Sequence, residues 1–119
     1  MPDIQVDINF EPKKLAAGKR ENGEIVINLT NVSKESIFWC ECDVHMDNQF
    51  SLAIDRDLTE GRTRIGIIKP GSSSSKRVRF YTKHGSVPGN YKVSVTSYAY
   101  GEDGAIAERS DIAKEIEFF

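Results

Sequence analysis

The chain has few of the features that accompany metal binding, nucleic-acid binding or membrane insertion. Only two of its 119 residues are cysteines, and its formal net charge is -2. The spacing of Cys40 and Cys42 does not suggest a disulfide framework, and a small net charge gives little electrostatic support for binding nucleic acid. No apolar run approaches the roughly 20 residues of a membrane-spanning helix. We therefore predict no nucleic-acid partner and no membrane insertion.

The first residues also lack the features of an export signal. No basic segment followed by an apolar stretch is present, as a secretory leader would require. We expect a cytoplasmic protein if the sequence is a full-length chain. If it is one module of a longer exported protein, we expect a cell-surface location, and both alternatives stay open.

Helical periodicity is weak throughout, and alternation of apolar with polar residues takes its place. Such alternation predicts half-buried strands, and it is clearest over residues 4–10, 25–29, 37–46 and 91–99. Turn residues separate the strands at spacings of roughly 8–12 residues, which is typical of sandwiches. The sequence predicts an all-β fold, an immunoglobulin-like antiparallel β-sandwich of seven to eight strands, forming a single domain over residues 1–119.

The middle of the chain gives weaker signals. Phe50, Leu52 and Ile54 suggest a strand, whereas the charged residues 55–64 resemble a loop. Four consecutive serines at 72–75 predict a flexible loop before the next strand. Tyr91 directly follows a turn, at the place where a tyrosine corner would bond back to the loop backbone.

Several segments together resemble a known family of modules. They are residues 28–36 (NLTNVSKES), 68–72 (IKPGS), 78–80 (VRF) and 88–95 (PGNYKVSV). In this order they resemble the CARDB-like (cell-adhesion-related) immunoglobulin-like modules of archaeal and bacterial proteins, over about residues 23–103. The resemblance implies a β-sandwich that serves as a spacer, an adhesion unit or an appendage to an enzyme, with no catalytic residues of its own.

Cys40 and Cys42 come nearest to a metal or redox motif. Residues two apart on a strand share a face, so both thiols would point into the core with the other apolar residues of their strand. His45 would point to the opposite face, and further ligands for a tetrahedral zinc ion are not evident. Two small buried residues explain the pattern better. We predict no metal and no cofactor, with a metal or redox-sensing domain kept as an alternative.

Aromatic residues form the best candidate contact surface. Trp39 would lie on the strand face opposite the cysteines, and Tyr98 and Tyr100 on the reverse of the penultimate strand. In an immunoglobulin-like layout these strands pair, which would gather Trp39, Tyr98, Tyr100 and Ile37 on the outside of one sheet. Exposed aromatic groups mark contact surfaces. A slip of one residue in register would instead turn Trp39 into the core.

No arrangement of residues indicates catalysis. No serine has the sequence context of a nucleophile elbow, and no paired carboxylates indicate a hydrolytic cleft. We predict a non-enzymatic structural or protein-interaction module that acts through an outer sheet face or an edge strand, on a protein partner or a second copy. A carbohydrate-binding accessory module with an aromatic platform is a further alternative.

Overall fold

The computed structural model describes residues 3–83 and 85–119, which form strands and the turns between them. Seven long strands and two strands of two residues follow one another as β1 (Ile4–Glu11), β2 (Lys14–Leu15), β3 (Asn22–Asn31), β4 (Phe38–Met46), β5 (Phe50–Ser51), β6 (Glu60–Ile68), β7 (Ser73–Thr82), β8 (Gly89–Tyr100) and β9 (Ile106–Phe118). The described residues contain no helix that could cross a membrane. The predicted all-β fold is confirmed.

The strands form two sheets that pack face to face. One sheet has the strand order β1-β3-β7-β5, and the other has the order β2-β9-β8-β4-β6. Neighbouring strands are antiparallel, except for the short parallel pair of β2 with β9. The predicted sandwich is confirmed, and so is the expected pairing of the strand that carries Trp39 with the penultimate strand, which appears as β4 with β8.

Alternating side chains of both sheets form the core between them. Every second residue of β3 and β4 is buried, because a strand sends successive side chains to opposite faces. The ring of Phe50 packs edge to face against Phe80 and Phe118, with centroids 5.3 and 5.1 Å away. Such pairs contribute stability beyond the area they bury. The short strand β5 thus holds an aromatic cluster that joins the two sheets.

Tyr91 forms the predicted tyrosine corner. Its hydroxyl donates a hydrogen bond to the backbone oxygen of Val87, at 2.7 Å. Its ring lies against Gly89, which has a φ of +154° and where an added Cβ would approach the Tyr91 oxygen to 3.3 Å. Glycine at this position gives the chain both the conformation and the space that the corner needs. The start of β8 is thereby tied to the preceding loop.

The strand predicted over residues 50–54 is wrong beyond Ser51. The buried hydroxyl of Ser51 accepts hydrogen bonds from the amides of Ala53 and Leu58 and contacts the carbonyl oxygen of Arg56 at 2.7 Å. These contacts turn the chain out of the sheet, and Ile54 is 61% exposed. A side chain that bonds its own local backbone competes with strand pairing.

Two segments predicted as loops are strands. Residues from Glu60 onward belong to β6, which lies at the edge of the five-stranded sheet, where exposed charges are compatible with a strand. Ser73 to Ser75 begin β7, and Ser75 pairs with Asn28 of β3. Both segments have polar, exposed faces, so their sequences resemble loops although partner strands hold them.

Asn31 joins the two sheets at one end of the sandwich. It is fully buried at the end of β3, and its Nδ2 donates to the backbone oxygens of Ile68 in β6 at 3.0 Å and Ser36 at 2.7 Å. Its Oδ1 accepts hydrogen bonds from the amide and the hydroxyl of Ser33, at 3.0 and 2.6 Å. One amide group therefore fixes the turn between β3 and β4 and the end of the opposite sheet.

Replacing Asn31 with alanine should destabilise the fold by roughly 2–3 kcal/mol, because it removes four hydrogen bonds and leaves buried backbone groups unpaired. The free energy of unfolding in urea measures this loss. Asn28→Ala is the matched control: Asn28 lies on the outer face of the same strand and bonds the Ser75 hydroxyl. A loss of equal size in both variants would contradict the account.

Candidate interaction surface on the five-stranded sheet

A row of large apolar side chains crosses the outer face of the five-stranded sheet. Residues that pair across an antiparallel ladder send their side chains to the same face. Trp39 pairs with Ile67 of β6 and with Tyr100 of β8, and Tyr100 pairs with Ile106 of β9. Ile67, Ile106 and Trp39 are 64%, 57% and 38% exposed. We call these four residues the apolar row.

Trp39 lies on the surface and not in the core. Its neighbours Phe38 and Cys40 point inward and are buried, so the alternation of β4 directs Trp39 outward. Its indole Nε1 donates to the Glu41 carboxylate at 3.4 Å. The register that we predicted is present, and the alternative in which Trp39 enters the core is not.

The other aromatic candidates also share this face. Tyr100 belongs to the apolar row, and Tyr98 lies in the next row of the same strand. Ile37 directly precedes β4, is 38% exposed, and borders a shallow groove beside the turn between β8 and β9. The structure therefore brings the three aromatic residues together on one face and places Ile37 at its end.

Charged residues surround Tyr98 in the rows that follow. The guanidinium groups of Arg62 and Arg109 lie 5.3 and 5.9 Å from the centre of its ring, within the range of cation–π attraction. Arg62 also donates to both carboxylate oxygens of Asp43, at 2.7 and 3.0 Å. This bidentate pair lowers the pKa of Asp43, chiefly through the hydrogen bond with Arg62. Tyr98 is thus held in place by fixed charges.

An acidic rim borders the apolar row on its other side. The turn after β8 carries Glu102 and Asp103, and Glu102 lies beside Trp39 and Tyr100 along a shallow groove. Glu35 borders the neighbouring groove with Asp103. We call Glu35, Glu102 and Asp103 the acidic rim. None of the three forms an ion pair with any other residue that the structure describes.

Ile67 and Ile106 also belong to this surface, although neither was predicted from the sequence to lie on it. One signal was present, since Ile67 and Ile68 are adjacent and only one of two adjacent strand residues can face the core. Ile68 takes the core position, at 1% exposure. Ile106 follows the turn directly, and nothing in its local sequence indicates the side to which it points. Arg62 was missed because its segment resembled a loop.

The cysteines lie on the opposite side of the sheet from these residues. Both thiols are free and fully buried in the core. Burial raises the pKa of Cys40 to about 11 and that of Cys42 to about 12, so both stay protonated at neutral pH. His45 points outward, with its Nδ1 3.3 Å from the Glu60 carboxylate. The residues named for a metal or redox site therefore do not come together.

Comparison with known proteins gives similarity of fold alone. No protein-family model matches the chain, and no curated protein does. A Bordetella pertussis protein given the name ApaA matches with a TM-score of 0.65 at 12% identity, over 98% of this chain and 94% of that one. A CARDB domain from Pyrococcus furiosus, solved in complex with di-metal ions, matches with a TM-score of 0.54 at 14% identity, over 98% and 86%.

Part of a larger enzyme has the same fold. The DNA glycosylase AlkC of Pseudomonas fluorescens, solved bound to DNA containing an abasic site analog, matches with a TM-score of 0.55 at 12% identity. The match covers 98% of this chain and 30% of that one. At such identities the likeness concerns the fold and not the function. The predicted CARDB-like fold is supported by these structures.

The buried thiols predict how stability depends on pH. Since their pKa values in the fold lie above the ordinary 9.0, the folded chain keeps protons that the unfolded chain releases. Their contribution should be complete below about pH 9 and should be lost as the pH rises toward 11 and 12.

Urea unfolding between pH 8 and pH 11 measures this loss. The comparison is with the double variant Cys40→Ala/Cys42→Ala, in which the fall in stability over this range should be shallower because the two thiols no longer titrate. The alanines lower stability at every pH by leaving cavities. The test therefore compares how steeply the free energy of unfolding falls with pH, and not its absolute value. Equal slopes would show that the thiols titrate alike in the folded and unfolded chains.

Proposed function

We propose that the chain is a non-catalytic protein-interaction module that binds a protein partner through the outer face of the five-stranded sheet. The observation that carries this proposal is the apolar row. Two isoleucines that are more than half exposed flank a tryptophan and a tyrosine on one face of the sheet. Contiguous exposed apolar groups rimmed by polar residues mark contact sites, and tryptophan, tyrosine and arginine are the residues that dominate their binding energy.

The outer face of the other sheet supports the proposal by contrast. There most rows are polar, with Gln5, Thr30 and Ser73 paired across one row. Val26 and Tyr81 are the larger apolar side chains on that face. A sandwich that served only as a spacer would have two faces of this solvated kind. The difference between the faces indicates that one of them is adapted for contact and the other for solvent.

The surroundings of the row suit binding without large rearrangement. β4 is paired on both sides, by β6 and β8, so the backbone under Trp39 is fixed. The indole is held toward Glu41, and its neighbours Phe38 and Cys40 are anchored in the core. A rigid aromatic group loses little conformational entropy when a partner covers it.

The apolar row favours a protein ligand over a carbohydrate. The edge strand β6 favours binding by the sheet face over binding by strand pairing at the sheet edge. Ile67 and Ile106 at the two ends of the row offer no hydrogen bonds to sugar hydroxyls. The free edge of β6 is interrupted by a bulge next to Gly66, whose φ is +103°, and carries Arg62 and Arg64. Bulges and charges of this kind discourage pairing with another strand.

A photoreactive phenylalanine analogue in place of Ile106 should form covalent adducts with a protein, either with another protein in cells or with a second copy in the purified chain at near-millimolar concentration. The same analogue in place of Ser75, on the outer face of the four-stranded sheet, should form none. Adduct bands resolved by mass measure the outcome.

The control for specificity is Trp39→Ala in the chain that carries the probe at position 106. Loss of a large contact side chain from the row should weaken the adducts by at least about tenfold, as for a residue that dominates an interface. Adducts of equal strength from both probe positions, or none from position 106, would contradict the proposed function.

A further inference from the structure

We propose that the partner on this face is a second copy of the chain. The inference rests on the proposed function and adds the identity of the occupant. Two copies would place apolar row against apolar row, with their strands antiparallel, around a two-fold axis that runs across the strands along the row. Two sheets that pack face to face with aligned strands are a common arrangement, and two-fold dimers are the commonest oligomers.

The evidence for a second copy is that charges of opposite sign lie on the two sides of the apolar row. The acidic rim lies beyond the row at the turn after β8. On the other side, Arg109 of β9 lies in the next row, opposite Tyr98. Rows on one face of a strand are roughly 7 Å apart. Arg109 also lies 3.7 Å from Asp111 of the following row. Glu41 of β4 lies in the row of Tyr98, where it pairs with Arg62 and Arg64. On the β8–β9 side of the face the order is therefore the acidic rim, the apolar row and Arg109.

This order makes the face complementary to itself in one arrangement only. With the two-fold axis along the row, the acidic rim of each copy lies over the row of Tyr98 and Arg109 of the other, so Glu102 meets Arg109 of the second copy in two equivalent places. With the axis along the strands, acidic rim would face acidic rim. Three carboxylates of each copy would then meet, whereas the first arrangement sets only Lys69 against Arg64, so like-charge repulsion favours the first arrangement.

The size of the face predicts a weak dimer. Four strands that are roughly 4.8 Å apart, over about four rows, give a plan area on the order of 500 Å². This is below the ~800 Å² per partner of a standard interface. At the β6 end, Lys69 would also lie near Arg64 of the second copy, two like charges at the solvent-exposed border. We expect dissociation in the micromolar to near-millimolar range.

A different protein could in principle cover the same row, but the charges favour the second copy. A basic partner would suit the acidic rim and be repelled by Arg109, and an acidic partner would suit Arg109 and be repelled by the rim. A surface that carries both signs in this order satisfies both requirements. Adducts from position 106 to another protein, with a chain that stays monomeric, would identify a heterologous partner instead.

A charge exchange between two variants tests the arrangement. Glu102→Arg and Arg109→Glu should each raise the dissociation constant of the wild-type dimer by at least about tenfold, because each sets like charges together at both contacts. An equimolar mixture of the two variants should associate again, since each contact now joins opposite charges. Sedimentation equilibrium from micromolar to near-millimolar concentration measures all three.

Glu115→Arg is the matched control. It makes the same change of charge on the same face and the same strand β9, but at the far end, where it pairs with Lys92. Its dissociation constant should equal that of the wild type. Recovery of association in the mixture also shows that both variants are folded.

Three results would overturn the inference. They are a wild-type chain that is monomeric at every concentration, variants that associate as the wild type does, and a mixture that does not recover. A monomeric chain with position-106 adducts to another protein would refute the second copy and leave the proposed function in place. A monomeric chain without adducts would refute both.

Discussion

The two-residue alternation along the paired strands β4 and β8 is the constraint on which the rest of the structure depends. These strands form the centre of the five-stranded sheet, and their common register decides at once what is buried and what is displayed. Cys40 and Cys42 point inward because Trp39 and Glu41 point outward. A slip of one residue would bury the charges and expose the thiols, at a cost that no local rearrangement offsets.

The sequence predicts the structure well where that alternation is strong and poorly where it is weak. The core side of β4, the outward position of Trp39 and the corner at Tyr91 were all predictable, because burial on one face leaves a regular pattern. Ile67, Arg62 and the serines of β7 were not. They lie where outer faces are polar, or at an edge, and only pairing with strands distant in the sequence assigns them to a sheet and a row.

Different parts of the sandwich have different structural roles. The small thiols fill the space beneath the central strands, and burial keeps them protonated. Asn31 closes one end by bonding both sheets, so the turn before Ile37 and the end of β6 stay in register beside the apolar row. On this framework one outer face is polar, and the other carries the aromatic and charged residues. The fold is shared with proteins of different kinds, so the function that we propose rests on this face alone.

The one tryptophan of the chain reports directly on the central claim, which is that Trp39 lies on the surface and is covered by a second copy. The decisive measurement is acrylamide quenching of Trp39 fluorescence across a dilution series. We expect ready quenching in dilute solution and protection as concentration rises, with the same midpoint as the dissociation of the dimer. Protection at concentrations where sedimentation shows only monomer would place Trp39 in the core, and ready quenching at every concentration would leave the face uncovered. Either result would contradict the account.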